Sequence, residues 1–140
     1  MSHSLSKIYI HGVWGTKYRQ NLIIPKIETE VHKIIEDIMN DLRCPPLIIN
    51  GMPDHIHSLF RLDKKITIAD LFQRIKGATS HKISEEIPTS VDFSWQVGYG
   101  AFSVSESRLN NVYDYIKNQK EHHKNKSFQE ELKELGIAMY

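Results

Sequence analysis

The chain has 140 residues, 40% of them hydrophobic and 25% charged, with a formal net charge of +1. That length suits one compact domain with a real core, and the near-neutral balance gives no bulk attraction for a polyanion, so any nucleic-acid contact must rest on locally concentrated cations. A single cysteine, Cys44, excludes an internal disulfide framework and a cysteine-based zinc centre; with no apolar run of membrane-spanning length and no secretory h-region in "MSHSLSKIYIHG", the expected setting is cytoplasmic, with no membrane partner.

In "KIYIHGVWGTK", Ile8, Ile10 and Val13 alternate with polar or amphipathic residues, which predicts a first strand. "PKIETEVHKIIEDIMNDLR" follows, with Pro25 at a helix start and Ile27, Val31, Ile34, Ile35, Ile38 and Leu42 on one helical face, stopped by Pro45-Pro46. "PLIINGMPDHIHSLFRL" reads as two strands, Leu47 to Ile49 and His55 to Leu62, with Asn50-Gly51 as the turn signal. A second helix is opened by a Thr67/Asp70 capping pair and carries Ile68, Leu71, Phe72, Ile75 and Ala78 on one face. "DFSWQVGYGAFSV" is a fourth strand, bent at Gly98 and Gly100.

Strand, helix, strand, strand, helix, strand is the ferredoxin-like (RRM-like) α+β order: a four-stranded antiparallel sheet with two helices on one face. Residues 1–104 form this core. Residues 105–126 predict a third helix, N-capped by Ser105, to cover the other sheet face or its edge. Residues 127–140 predict a last helix, with Ser127 and Glu130 as a capping box and Gly136 as its stop. Without a repeat or linker, residues 1–140 read as a single domain.

On a strand, His55 and His57 project to the same side and Ile56 to the other. Ile56 would then anchor the strand in the core and leave both imidazoles facing outward. Two imidazoles one strand-step apart can share a metal ion, but the same spacing describes an ordinary amphipathic strand, and two ligands are not a site. In the third helix, Tyr115 and Gln119 lie one turn apart on one face, and His122 continues it. A Gln119 carboxamide oxygen beside two imidazoles would leave coordination positions open, as suits Mg²⁺ or Mn²⁺ polarising a phosphoryl oxygen. Tyr115 is then a candidate nucleophile for a phosphodiester; Tyr113 competes but lies nearer the Leu109 and Ile116 side. His122 is a candidate accessory to the metal. Asp54 either orients a histidine, helps with proton transfer, or simply turns the chain. Lys17 and Arg19, which flank Tyr18, are candidate DNA contacts with Arg74 and Lys76 on the second helix, against a background of ordinary solvated lysines and arginines.

The blocks "HGVWGTKYR", "GMPDHIHSLF", "IKGATSHKI", "WQVGYGAFSVS" and "VYDYIKNQKEHH", in that order over nearly the whole chain, resemble the single-tyrosine HUH (His-hydrophobic-His) transposases of small bacterial insertion sequences. That group includes the repetitive-palindrome-associated tyrosine transposases. The resemblance implies a bacterial, single-stranded DNA transposase that recognises hairpins at element ends and works as a homodimer. His55, His57 and Gln119 would hold Mg²⁺ or Mn²⁺, and Tyr115 would attack to give a 5′-phosphotyrosine link. It leaves open whether Tyr115 serves its own histidine pair or that of the partner subunit. It also leaves open whether the chain mobilises an insertion sequence or is a domesticated relative acting on repeated palindromes. Two further readings stand beside it: a catalytically silent single-stranded nucleic-acid-binding module on the same fold, and a metal-dependent hydrolase in which water attacks.

Overall fold

Hydrophobic alternation in the first segment produces β1, Ile8–Gly15, which becomes an interior strand of the sheet. The computed structural model describes residues 3–88 and 92–122, together with 127, 130, 131 and 133. After β1 come a short 3-10 turn, Lys17–Arg19, then α1, Pro25–Asp41, β2, Pro46–Met52, and β3, His55–Leu62. These are followed by α2, Ile68–Glu86, β4, Gly100–Val104, α3, Leu109–Lys117, and α4, Gln119–His122. The sheet order is β2-β3-β1-β4, and each neighbouring pair is antiparallel. This is the expected ferredoxin-like α+β architecture.

Period-two alternation sorts the strand residues onto two faces. One face carries Ile10, Trp14, Ile56 and Phe60, against which α1 places Val31, Ile35 and Met39 and α2 places Leu71, Phe72, Ile75 and Ile83. The other carries Leu59 and Val104 and is covered by Val112 and Ile116 of α3. The third helix therefore covers a face rather than an edge. In α1 the core position belongs to Met39, while Ile38 is only half-buried. In α2, Ala78 is exposed and Thr79 faces inward instead, where its hydroxyl accepts a 2.9 Å hydrogen bond from Trp95 Nε1. The N-cap expectation at Thr67 holds, since its hydroxyl accepts from the Asp70 amide at 3.1 Å.

Four boundaries differ from the sequence-based expectation. The β2–β3 turn is Pro53-Asp54, because Asn50 and Gly51 stay in the ladder opposite His57 and Ile56. Asn50 is there for another purpose: its Nδ2 donates to the carbonyls of Ile116 and Lys117 at 3.0 and 3.1 Å and so caps the end of α3. The fourth strand begins only at Gly100, and the segment before it touches the sheet through one isolated bridge, Thr16 to Trp95. Ser105 opens a 3-10 turn, Glu106–Arg108, so the α-helix proper starts at Leu109. It breaks at Asn118, which puts Tyr115 on α3 and Gln119 at the head of α4. Of the last expected helix, the Glu130 amide does bond the Ser127 hydroxyl at 3.2 Å; most of 127–140, Gly136 included, lies outside the described residues.

Gly51 explains why the hairpin can close so tightly. A Cβ there would sit 2.2 Å from the His55 carbonyl oxygen and 3.1 Å from Ile56 Cα, both backbone atoms that cannot swing aside. Gly51→Ala is expected to destabilise the chain by about 2–3 kcal/mol in urea unfolding, whereas Gly77→Ala, where a Cβ meets nothing within 4 Å, should be neutral or stabilising by a few tenths. Equal midpoints for the two variants would contradict the close-approach argument.

Candidate active site

The histidine pair sits at the start of β3, on the face covered by α3. Both rings are fully buried, so they do not face outward as the strand pattern alone suggested. Ile56 does pack into the opposite core. What covers the imidazoles is a residue the sequence did not single out, Glu131. Its carboxylate is 2% exposed, pairs with His57 Nε2, and has its second oxygen 3.9 Å from His55 Nε2. The three ligand atoms of His55, His57 and Glu131 lie within 4.8 Å of one another.

Each imidazole is held from behind through its other nitrogen. His55 Nδ1 lies 2.7 Å from Asp54 Oδ1, so Asp54, a residue of the turn, also holds the histidine ring. His57 Nδ1 lies 2.8 Å from Nε2 of His11, a fully buried residue of β1. Burial, then the neighbouring His57, push the His11 pKa down to about 3, with Glu131 opposing the shift, so His11 is neutral at ordinary pH. Carboxylate and imidazole partners of this kind fix ring orientation and leave Nε2 as the outward ligand atom.

Gln119 is fully buried, and both its Oε1 and Nε2 lack a hydrogen-bond partner among the described residues. A buried carboxamide with neither atom satisfied costs stability unless something else meets it. Two imidazole nitrogens and a carboxylate, from His55, His57 and Glu131, form a donor set that fits a divalent metal. Tyr115 is half-buried on α3 with its ring centroid 5.9 Å from that of His57 and 6.1 Å from that of His11. Both are residues of its own chain. Tyr113, the competing tyrosine, is 37% exposed and packs in neither core cluster. The His122 side chain, expected as an accessory, lies outside the described residues.

The candidate DNA contacts scatter. Lys17, Tyr18 and Arg19 form the 3-10 turn after β1, and Arg74 is exposed on α2. Lys76 reaches across to the carbonyls of Gln96 and Gly98 and is engaged in holding that loop. Partial burial lowers its pKa. Two contributors to the site went unread in the sequence. His11 could have been found from strand pairing, because it stands on the same face of β1 as Val13, the partner of His57. Glu131 carries no such signal; it sits in a helix-forming run and reaches the site only through the tertiary fold. Among the described residues no helix is long and apolar enough to cross a membrane.

Comparison with known proteins places this geometry. The family profile described as "Transposase IS200 like" matches residues 4–119. The ISDra2 transposase TnpA of Deinococcus radiodurans is 25% identical over 114 residues, which cover 78% of this chain and 81% of that protein. A crystal structure from D. radiodurans R1, assigned to the transposases, superposes with a TM-score of 0.66 at 25% identity, over 85% of this chain and 95% of the other. A REP-associated tyrosine transposase bound to a REP hairpin gives a TM-score of 0.63 at 14% identity, over 88% of this chain and 74% of that one, a likeness of fold. The chain belongs to the IS200-like transposase family.

Proposed function

We propose that this chain nicks and rejoins single-stranded DNA through a covalent bond to Tyr115, and so excises and inserts an insertion sequence. The observation that carries this reading is the position of Tyr115, whose ring stands against His57 in a chain of a transposase family. His55, His57 and Gln119, with Glu131 added, would hold Mg²⁺ or Mn²⁺, which when bound would draw charge from the scissile phosphate. His11 and Asp54 would keep the two ligand nitrogens aimed. The Tyr115 oxygen attacks phosphorus, the phosphorus–O3′ bond breaks, and the phenolic proton ends on the departing 3′ oxygen. The 5′-phosphotyrosine link conserves the ester, so a 3′-OH can later attack it and rejoin the strand without ATP.

Tyr115 beside its own chain's histidines favours nicking within one subunit; the homodimer that the resemblance implies remains part of the proposal. The hairpin carried by the REP-associated structural neighbour supports a folded single strand as substrate. Lys17, Arg19, Arg74 and Lys76 are retained as candidate phosphate contacts. A silent binding module would not need a tyrosine, two imidazoles and a carboxylate to converge.

Labelled single-stranded DNA carrying the element's own flank, incubated with Mn²⁺, should give a denaturation-resistant protein–DNA adduct. Tyr115→Phe keeps the ring that packs at the site and should reduce adduct formation by about a thousandfold or more. Cleavage that survives this substitution would instead make water the nucleophile.

Mn²⁺ titration tests the site without DNA. The wild-type chain should gain thermal stability with Mn²⁺, by about 2.7 kcal/mol at a hundredfold excess over Kd, and lose it on adding a chelator. His57→Ala should abolish the gain, while His11→Ala and Asp54→Ala should each weaken affinity by about 10–100-fold. If these two variants bind Mn²⁺ like the wild type, the orienting role assigned to them is wrong. Gln119→Ala and Glu131→Ala should both weaken binding, and a variant that binds as tightly as wild type removes that residue from the ligand set.

A further inference from the structure

The turn after β1 presents an aromatic ring to solvent. Tyr18 and Arg19 have φ of 56° and 54°, two consecutive non-glycine residues in the left-handed region, which L side chains adopt reluctantly. The outcome is a Tyr18 ring that is 80% exposed, with Lys17 Nζ 5.4 Å from its centroid. A second wall stands opposite. The Lys17 amide donates to the Ser94 carbonyl at 3.0 Å, the Gln96 amide to the Gly15 carbonyl at 2.9 Å, and Lys76 holds the carbonyls of Gln96 and Gly98. Pinned on both sides, the loop leaves Val97 94% exposed. The cleft between the walls is about 830 Å³ and has no acidic residue in its lining.

This cleft is tied to the histidine pair. Thr16, the residue before Lys17, reaches the Asp54 carbonyl with its amide at 2.9 Å and its hydroxyl at 3.2 Å. Asp54 in turn holds His55. Cleft and histidines therefore share the end of the sheet where β1 finishes and β3 begins.

We infer that this cleft is a subsite for one unpaired nucleobase of the strand flanking the scissile phosphate, stacked on Tyr18 against Val97, with its phosphate met by Lys17 and Arg19; this rests on the DNA-nicking reading and extends it. An exposed ring beside cations suits an unpaired base because every base offers a π-face, whereas the faces of a paired base are already stacked in the duplex. The subsite therefore selects single strands without reading their sequence.

Fluorescence anisotropy with a labelled oligothymidylate of about twenty nucleotides, longer than the reach of one such groove, tests this on the full chain. Tyr18→Asn deletes the ring while keeping a residue that tolerates the left-handed region, and should weaken binding about 5- to 50-fold. Tyr18→Phe keeps the ring and should stay within about twofold. Val97→Asp, at a site with no packing role, adds a negative charge to the cleft and should also weaken binding, which decides the matter if Tyr18→Asn proves less stable. Wild-type affinity in both Tyr18→Asn and Val97→Asp, or equal loss in Tyr18→Phe and Tyr18→Asn, overturns the subsite. Ring-dependent binding without a Tyr115 adduct would count against the nicking reading and leave the subsite standing.

Discussion

Two imidazoles buried on one face of a sheet can act as ligands only if their Nδ1 atoms are satisfied by something that leaves Nε2 pointing at a common place, and the site depends on that constraint. Strand alternation in β3 puts both rings on the same face. The register with β1 then brings His11 diagonally across to His57, while the turn supplies Asp54 to His55. The two histidines are not equivalent. A carboxylate only accepts, so the His55 Nδ1 carries a proton, and its Nε2 faces Glu131. His11, neutral because burial depresses its pKa to about 3, can donate or accept at His57. His57 therefore follows whatever faces its Nε2: toward the Glu131 carboxylate it donates, and toward a cation it must offer a lone pair, with the proton shifted to Nδ1.

Glu131 gives the site its charge logic. A buried carboxylate is costly unless paired, and here it pairs with the His57 imidazole and lies 3.9 Å from that of His55. With Asp54 behind His55, the basin contains two carboxylates and no fixed cation among its ligand set. Such a basin attracts a divalent cation and repels a phosphate. On the proposed reading, DNA follows the metal, because only the cation turns a site that rejects the phosphodiester into one that holds it. On the same reading the cations of the Tyr18 cleft, which lie outside this basin, would engage the strand in either condition.

Much of this was legible in the sequence where the signal was periodic and local. The alternation of Ile8, Ile10, Ile56 and Phe60, the helical faces of α1 and α2 and the Thr67 cap are each set by neighbours within a few residues, so the ferredoxin-like order could be read directly. Errors arose where a residue serves something distant. Asn50-Gly51 has the composition of a turn, yet Asn50 caps α3, more than sixty residues away in the chain, and Gly51 is there for the approach of the His55 carbonyl. Tyr115 and Gln119 have the spacing of one helical face, yet the break at Asn118 separates them. His55 and His57 were legible as a pair, but their burial was not, because Glu131 enters from a segment whose local pattern says only helix.

The same hairpin positions both halves of the proposed chemistry. β3 carries the histidines, and β2, bonded to it, carries Asn50, whose amide caps α3 two residues after Tyr115. Lys120 of α4 adds a second tie by bonding Asn50 Oδ1 at 3.2 Å and the Gly51 carbonyl, with a 3.0 Å ion pair to Glu28 of α1. Nucleophile and ligands are thereby fastened to adjacent strands rather than to separate bodies. In-line attack tolerates errors well under an ångström, and the close Gly51–His55 backbone approach and the Asn50 and Lys120 bonds tie the two halves together. The break at Asn118 fits this arrangement. It ends α3 where Asn50 can cap it and lets α4 start in a new direction, so the Tyr115 ring stands against His57 while Gln119 is buried; the one-turn spacing within a straight helix does not provide for that.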